Sequence, residues 1–342
     1  MAGRKNAVKA AGPGTAKIAL VTGASGFLGL HLVEVLRAQG YAVRSLGRHP
    51  HGRLDALGVD QRVGSVTDAA VVADALQGVD CVYHLAGYVS RDKSDRGPMY
   101  AVHVDGTRTV LQGCLDAGIT RVVVVSTSGT VGVSDDKRFM GREDSPVPWK
   151  VIGQWPYYES KAFQEKEVLD FVARGLPVKL ARPTLLLGPG DHNGSSTGDV
   201  VKFLCGDVKA ALPGGMSFVD ARDVAAALPA LMEKGEPGVG YLFGAANCSV
   251  HDFLVQLAQV SGMAPPAFTV PKRVVDSPLE VLVKKATTLK LFGGLEPQTF
   301  EMGCAYWYID STRAKTDLGF APRPPAETLR DTVADLRGMG QA

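Results

Sequence analysis

The run Thr22-Gly23-Ala24-Ser25-Gly26-Phe27-Leu28-Gly29 decides how the rest of this 342-residue chain is read. It follows an apolar stretch at residues 17–21, which reads as a buried strand, and it opens a helical pattern over 27–39 that Gly40 ends. Gly23 permits a tight turn, Gly26 lets the backbone approach a diphosphate, and Gly29 lets helix and strand pack closely. The free N–H groups at the helix start then face the phosphates. In the first strand–helix unit of a chain this spacing implies a dinucleotide site formed by Gly23, Ser25, Gly26, Phe27 and Leu28.

Outward from that run, strands are expected at 41–46, 61–63, 81–85, 121–125 and 178–182, with helices at 68–76, 99–117 and 157–174 between them. Asp68 is placed to cap the first of these helices. The segment 121–125 is almost pure valine with no polar alternation, which implies burial on both faces, as in a parallel sheet. Short apolar strands alternating with longer amphipathic helices indicate an α/β fold, a doubly wound parallel Rossmann sheet. The dinucleotide-binding part is expected over 17–187 with returning elements near 218–247. A smaller substrate-binding lobe is expected from 188–217 and 248–342, with one more helix at 223–233 and a strand at 241–243. Residues 133–156, rich in charge, Pro and Trp, read as a surface loop, and residues 1–16 as a disordered tail.

Composition narrows the classes. Hydrophobic residues make up 45% and charged residues 21%, which excludes a disordered or collagen-like chain. With 37 Lys+Arg against 35 Asp+Glu the net charge is +2, and no electrostatic case for nucleic acid exists. Five scattered cysteines with no CxxC pair argue against a disulfide framework or a zinc ribbon and for a reducing, cytoplasmic setting. No metal constellation stands out, and no apolar stretch reaches the roughly 18–20 residues of a membrane span. Residues 278–292 place Leu279, Leu282, Val283, Ala286 and Leu289 at helical spacing beside Lys284, Lys285 and Lys290. Such a basic amphipathic helix suits peripheral membrane contact or a cap on an apolar pocket.

Three further places carry chemistry. After the second strand a Rossmann site reads the adenosine ribose, and an acidic residue there would select NAD. Here stands Leu46-Gly47-Arg48, with Arg44 upstream, and a guanidinium suits the 2′-phosphate of NADP(H), with NAD(H) as the alternative cofactor. Tyr157 and Lys161 are four apart and share a helix face, where an ammonium would favour the phenolate. Ser126 and Ser128 end the valine strand, at the edge where ligands of doubly wound sheets sit. His103, alone on its helix, reads as a satisfied core histidine.

The joint order of these features resembles the extended short-chain dehydrogenase/reductase family, within the NAD-dependent epimerase/dehydratase superfamily, over about residues 17–340. His84-Leu85-Ala86-Gly87, Val104-Asp105-Gly106-Thr107, Arg182-Pro183-Thr184 and Phe218-Val219-Asp220-Ala221-Arg222-Asp223 also carry the likeness. The resemblance implies that Tyr157 donates and accepts the proton, that Lys161 lowers its pKa and holds the nicotinamide ribose, and that Ser128 orients the substrate oxygen. It implies that Leu85, Ala86, Gly87, Pro183 and Thr184 line the cofactor cleft. Ser65-Val66 stands where the family often has Asp-Val or Asp-Leu against the adenine. A homodimer through the helices at 99–117 and 157–174 is implied as well. The strand end at Arg48 looks like the dihydroflavonol reductase and 3β-hydroxysteroid dehydrogenase branch. Leucines at 185–187 replace the Asn and Tyr of sugar-nucleotide enzymes. The expectation is an NADP(H)-dependent oxidoreductase interconverting hydroxyl and ketone on a largely apolar small molecule. The alternative is a sugar or nucleotide-sugar epimerase or dehydratase that retains its NAD(P).

Overall fold

The computed structural model describes residues 16–275 and 297–342. The expected tail, apart from Ala16, and the basic stretch at 278–292 lie outside the described residues. The strands are β1 (Ile18–Thr22), β2 (Ala42–Gly47), β3 (Asp60–Val63), β4 (Cys81–His84), β5 (Val122–Val125), β6 (Lys179–Pro183), β7 (Leu185–Leu187), β8 (Ala210–Ala211), β9 (Gly215–Asp220), β10 (Gly240–Phe243), β11 (Ala246–Ser249) and β12 (Phe268–Thr269).

Seven of them form one sheet in the order β10-β6-β5-β4-β1-β2-β3, every neighbouring pair parallel. The valines of β5 explain why the sheet is covered twice. Val123 and Val125 join Val21, Leu36 and Leu228 in one apolar cluster, while Val122 and Val124 join Leu20, Val110 and Phe171 in another. A strand's side chains alternate between faces, so consecutive valines feed both layers of helices. The chain runs from β1 outward to β3, then returns to the other side of β1 at β4. Between β1 and β4 the connections diverge, and a crevice opens beyond the carboxyl ends of these strands.

A second sheet, β11-β9-β7, packs against helices Gly198–Leu204, Val250–Ser261 and Pro325–Gly338. Its core contains Phe203, Phe218, Phe253, Leu257 and Leu329.

Two expectations need correction. The helix expected at 99–117 starts at Arg96, and Ala101–Asp105 forms a π turn before regular helix resumes at Gly106–Asp116. The segment 133–156 is not simply surface: Val133, Ile152 and Trp155 are at most 1% exposed, and Ser134 and Gly141 bridge to Tyr306 and Ile309. Its apolar residues have partners in Ala162 and Ala305, which polar neighbours in the sequence conceal.

The turn after β1 is drawn tight against the helix Phe27–Ala38. A Cβ on Gly29 would lie 2.1 Å from the Gly23 carbonyl oxygen and 2.8 Å from Cα of Ala24. Gly29→Ala is therefore expected to push helix from turn and lower stability by about 1–3 kcal/mol, read as an earlier urea-unfolding midpoint.

Candidate active site

The glycine-rich turn is shaped by what it touches. Gly23 has φ +69°, and a Cβ there would fall 2.8 Å from the backbone of Leu85 and Ala86. Oγ1 of Thr22 accepts the Ala86 N–H at 3.1 Å. Gly26 caps the following helix without a side-chain hydrogen bond, and its first turn holds no acidic residue. Uncapped N–H groups in a cradle that a Cβ would fill fit a dinucleotide diphosphate. Phe27 and Leu28 are buried: Leu28 belongs to the core, and the Phe27 ring meets His31 edge-on. Only their backbone can serve a ligand. Ser25 is part-exposed in the turn.

The two arginines of the second strand separate. Arg44 donates to Asp60 at 2.7 Å and to the carbonyls of Ala75 and Gln77. Arg48 is exposed, makes no ion pair among the described residues, and lies within electrostatic reach of the Tyr88 phenol. The Ser65 hydroxyl pairs with that of Thr67 at 2.7 Å. Val66 packs on Gly106, where a Cβ would come within 2.7 Å of it.

At the end of β5 the two serines also separate. Ser126 donates to Oε1 of Glu165 at 2.5 Å. Ser128 opens the short turn Ser128–Thr130, and its hydroxyl has no partner among the described residues. Glu165 takes a bidentate grip from Arg182, Nε at 3.0 Å and Nη2 at 2.7 Å, and a further bond from Thr130 at 2.9 Å. Pro183 then ends β6 opposite Phe243, whose carbonyl takes the N–H and the hydroxyl of Thr184.

Tyr157 and Lys161 lie one turn apart on the helix Pro156–Ala173, which begins with a proline preset for that position. Lys161 is 4% exposed, and its ammonium donates to the Val125 carbonyl at 3.0 Å and to Oε1 of Gln164 at 2.9 Å. Burial brings Lys161 down to about 7 against the pull of the Glu165 carboxylate. A Cβ on Gly87 would sit 3.8 Å from that ammonium, so the exit of β4 runs directly over it. The expected lowering of the Tyr157 pKa is not met. Burial pushes the phenol up, Tyr158 adds to this, and the lysine spends its hydrogen bonds elsewhere.

His103 is satisfied, as expected, but its place is not incidental. The π turn aims its ring edge-on at Tyr157, 5.6 Å between centroids. The Tyr88 N–H donates to Nε2 at 3.0 Å, so Nδ1 carries the proton toward Oγ of Ser160 at 2.8 Å, and Ser160 donates to the Tyr157 carbonyl at 2.9 Å. Burial, with the Lys161 charge, keeps His103 well below the usual histidine range and hence neutral.

An aromatic wall adjoins these groups. Tyr158 lies 5.0 Å from the Tyr157 ring and 4.8 Å from Trp307, which stacks on Trp155 at 5.4 Å. A Cβ on Gly129 would fall 2.3 Å from the Tyr158 ring, so only glycine lets the Ser128 turn reach it. Arg91 grips Asp199 with two bonds, 3.0 and 2.7 Å, and also donates to Thr299. The sequence reading missed Gln164, Trp307 and Arg91. Among the described residues no group of His, Cys, Asp and Glu could hold a metal ion, and no helix is long and apolar enough to cross a membrane.

This parallel sheet, with its glycine turn at the switch point, defines a Rossmann-type nucleotide-binding protein. Residues 19–244 match the family described as the NAD dependent epimerase/dehydratase family. The chain belongs to that family, and it is an NAD(P)-dependent oxidoreductase of the short-chain dehydrogenase/reductase type. It is 32% identical over 331 residues to sterol demethylase protein B of Methylococcus capsulatus, covering 94% of this chain and 98% of that one. It is 26% identical to the 4-hydroxy-2-methyl-3-oxo-4-farnesyl-3,4-dihydroquinoline-1-oxide ketoreductase of Stigmatella aurantiaca, covering 94% and 97%. The crystal structure of gox2253 superposes with a TM-score of 0.82 at 28% identity, covering 95% of this chain and 99% of that one.

The buried clasp makes a stability prediction. Arg182→Leu strands the Glu165 carboxylate in the interior and is expected to cost about 3–5 kcal/mol. The double variant Glu165→Leu/Arg182→Leu leaves no lone charge and should recover part of that loss in urea unfolding.

Proposed function

We propose that this protein is an NADP(H)-dependent oxidoreductase that interconverts a hydroxyl and a ketone on a largely apolar, cyclic or lipid-like substrate. The observation that carries the reading is the pair of part-exposed rings Tyr158 and Trp307, backed by the buried Trp155 and set against both Tyr157 and the turn bearing the Ser128 hydroxyl, which has no partner among the described residues. Such a wall favours flat, apolar ring systems over hydrated sugars. The names of the two relatives, a sterol demethylase protein and a ketoreductase of a farnesylated quinoline, support the same substrate class.

In this reading Ser128 donates to the substrate oxygen and fixes its position. Tyr157 gives that oxygen its proton in the reductive direction and removes it in the oxidative one. Lys161 holds the nicotinamide ribose from the floor beneath Gly87. When bound, the nicotinamide cofactor supplies or takes up the hydride. The diphosphate rests on the N–H groups that follow Gly26, beside Ser25 and Gly23, with the backbone of Leu85, Ala86 and Gly87 across from them. Pro183 and Thr184 border the nicotinamide end and Ser65-Val66 the adenine end. The exposed Arg48 guanidinium takes the 2′-phosphate, Arg44 being committed to Asp60.

The nucleotide-sugar alternative has less support. Its usual Asn and Tyr positions fall in β7, where Leu187 is wholly buried in the core of the smaller lobe.

Purified protein is expected to consume NADPH faster than NADH with hydrophobic cyclic ketones. Tyr157→Phe should lower turnover by about 100-fold or more with cofactor affinity nearly unchanged. An active Tyr157→Phe enzyme would sink the assignment of that residue, and isomerisation of a nucleotide sugar without net NADPH consumption would favour the alternative. Arg48→Ala should weaken NADPH binding about tenfold or more and leave NADH nearly untouched in a fluorescence titration. Equal losses for both cofactors would return Arg48 to an ordinary surface role.

A further inference from the structure

Lys161 stands at one end of an unbroken line of buried hydrogen bonds. Its ammonium donates to Oε1 of Gln164 at 2.9 Å, and Nε2 of Gln164 donates to Oγ1 of Thr107 at 2.8 Å. That hydroxyl lies 3.0 Å from Nε2 of His84, whose Nδ1 lies 2.8 Å from Oγ1 of Thr22. The threonine oxygen in turn accepts the Ala86 N–H. Thr22, His84, Thr107 and Gln164 are fully buried. A buried amide is costly unless both of its ends are used, and here both are. The orientation is determined, because only the amide oxygen can accept from the ammonium. An apolar side chain would fill the same space, so the amide needs a reason beyond packing.

We propose that Gln164 is a positioning residue for Lys161, holding its ammonium on the Val125 carbonyl and tying it through Thr107 and His84 to the turn after β1. The inference rests on the role given to Lys161 under the proposed function. Among the described residues, the titratable groups that bear on the lysine are Glu165 on its own helix, His103 on the π turn and His84 on β4, with Tyr157 one helical turn away. Glu165 attracts the charge but is occupied by Arg182. Burial lowers His84 to about 3 and also keeps His103 neutral, so neither adds a competing charge near pH 7. The Gln164 oxygen is then one of two acceptors that stabilise the charged amine directly. Its loss makes the amine give up its proton at lower pH, and a carboxylate in its place does the opposite.

The test uses full-length protein carrying 13C at the lysine Cε, with the Lys161 resonance assigned by its disappearance in Lys161→Met and followed across pH. Gln164→Leu should move its midpoint down by about one unit and Gln164→Glu up by about one unit or more. Thr107→Val, which frees the far end of the amide, should move it in the same direction as Gln164→Leu by less. If Gln164→Leu does not fold, Gln164→Glu and Thr107→Val carry the experiment. In turnover, the alkaline limb of the kcat profile should move with the midpoint, with the KM of the ketone unchanged. A Lys161 midpoint that stays put in folded Gln164→Glu overturns the inference. Absence of ketone turnover with a midpoint that still moves defeats the proposed function and leaves the role of Gln164 standing.

Discussion

The carboxylate of Glu165 is the point on which the site's geometry depends. It joins the helix Pro156–Ala173, the turn after β5 and the end of β6 through Arg182, Ser126 and Thr130. These segments are distant enough in the chain that no local rule would place them together. The bond set also decides which hydroxyl is available: Ser126 is taken, and Ser128, two residues on, has no partner among the described residues. Because both charges of the Glu165–Arg182 pair are buried, the arrangement tolerates little. Removing either partner leaves the other in a medium that cannot solvate it.

The same dryness governs the titrating groups. Burial favours whichever form is uncharged, so it lifts the Tyr157 phenol, lowers Lys161 and neutralises His84 and His103 together. The lysine's charge is sustained by hydrogen-bond acceptors and by the field of Glu165, while the histidines act as uncharged connectors. His103 links Tyr88 to Ser160 and so to the backbone of Tyr157. His84 links the turn after β1 to Thr107. Behind the site lies a buried polar network, its rigidity coming from near-complete satisfaction of its donors and acceptors.

Much of the fold was legible because its strands are buried on both faces. A valine run without polar alternation suits a strand covered by helices on either side, and the glycine turn, Gly40 and the Asp68 cap punctuate the chain as local chemistry requires. The smaller lobe was less readable: β8 and β12 have two residues each, too few for any period to register. The buried part of 133–156 was hidden by its charged neighbours. The π turn adds backbone between residues that sequence spacing treats as evenly placed, so a core place for His103 was legible but its aim at Tyr157 was not. Tyr157 was expected to acidify because a charged lysine stands one turn away, whereas burial and the lysine's other hydrogen bonds dominate. Trp307, Arg91 and Gln164 have meaning only through what the tertiary fold brings to them.

Gly129 has a consequence for how such a protein can diverge. The Tyr158 ring occupies the space a side chain at 129 would need. The two positions are therefore bound in a single choice across any lineage descended from this chain. A side chain at 129 is admissible only after 158 has become small and the Trp307 ring, 3.1 Å from such a Cβ, has shifted, which would remove the middle of the aromatic wall. The reverse order passes through a clash between the new Cβ and the ring. Divergence toward a differently shaped substrate would thus begin at Tyr158, and a side chain at 129 would record that the change had already occurred.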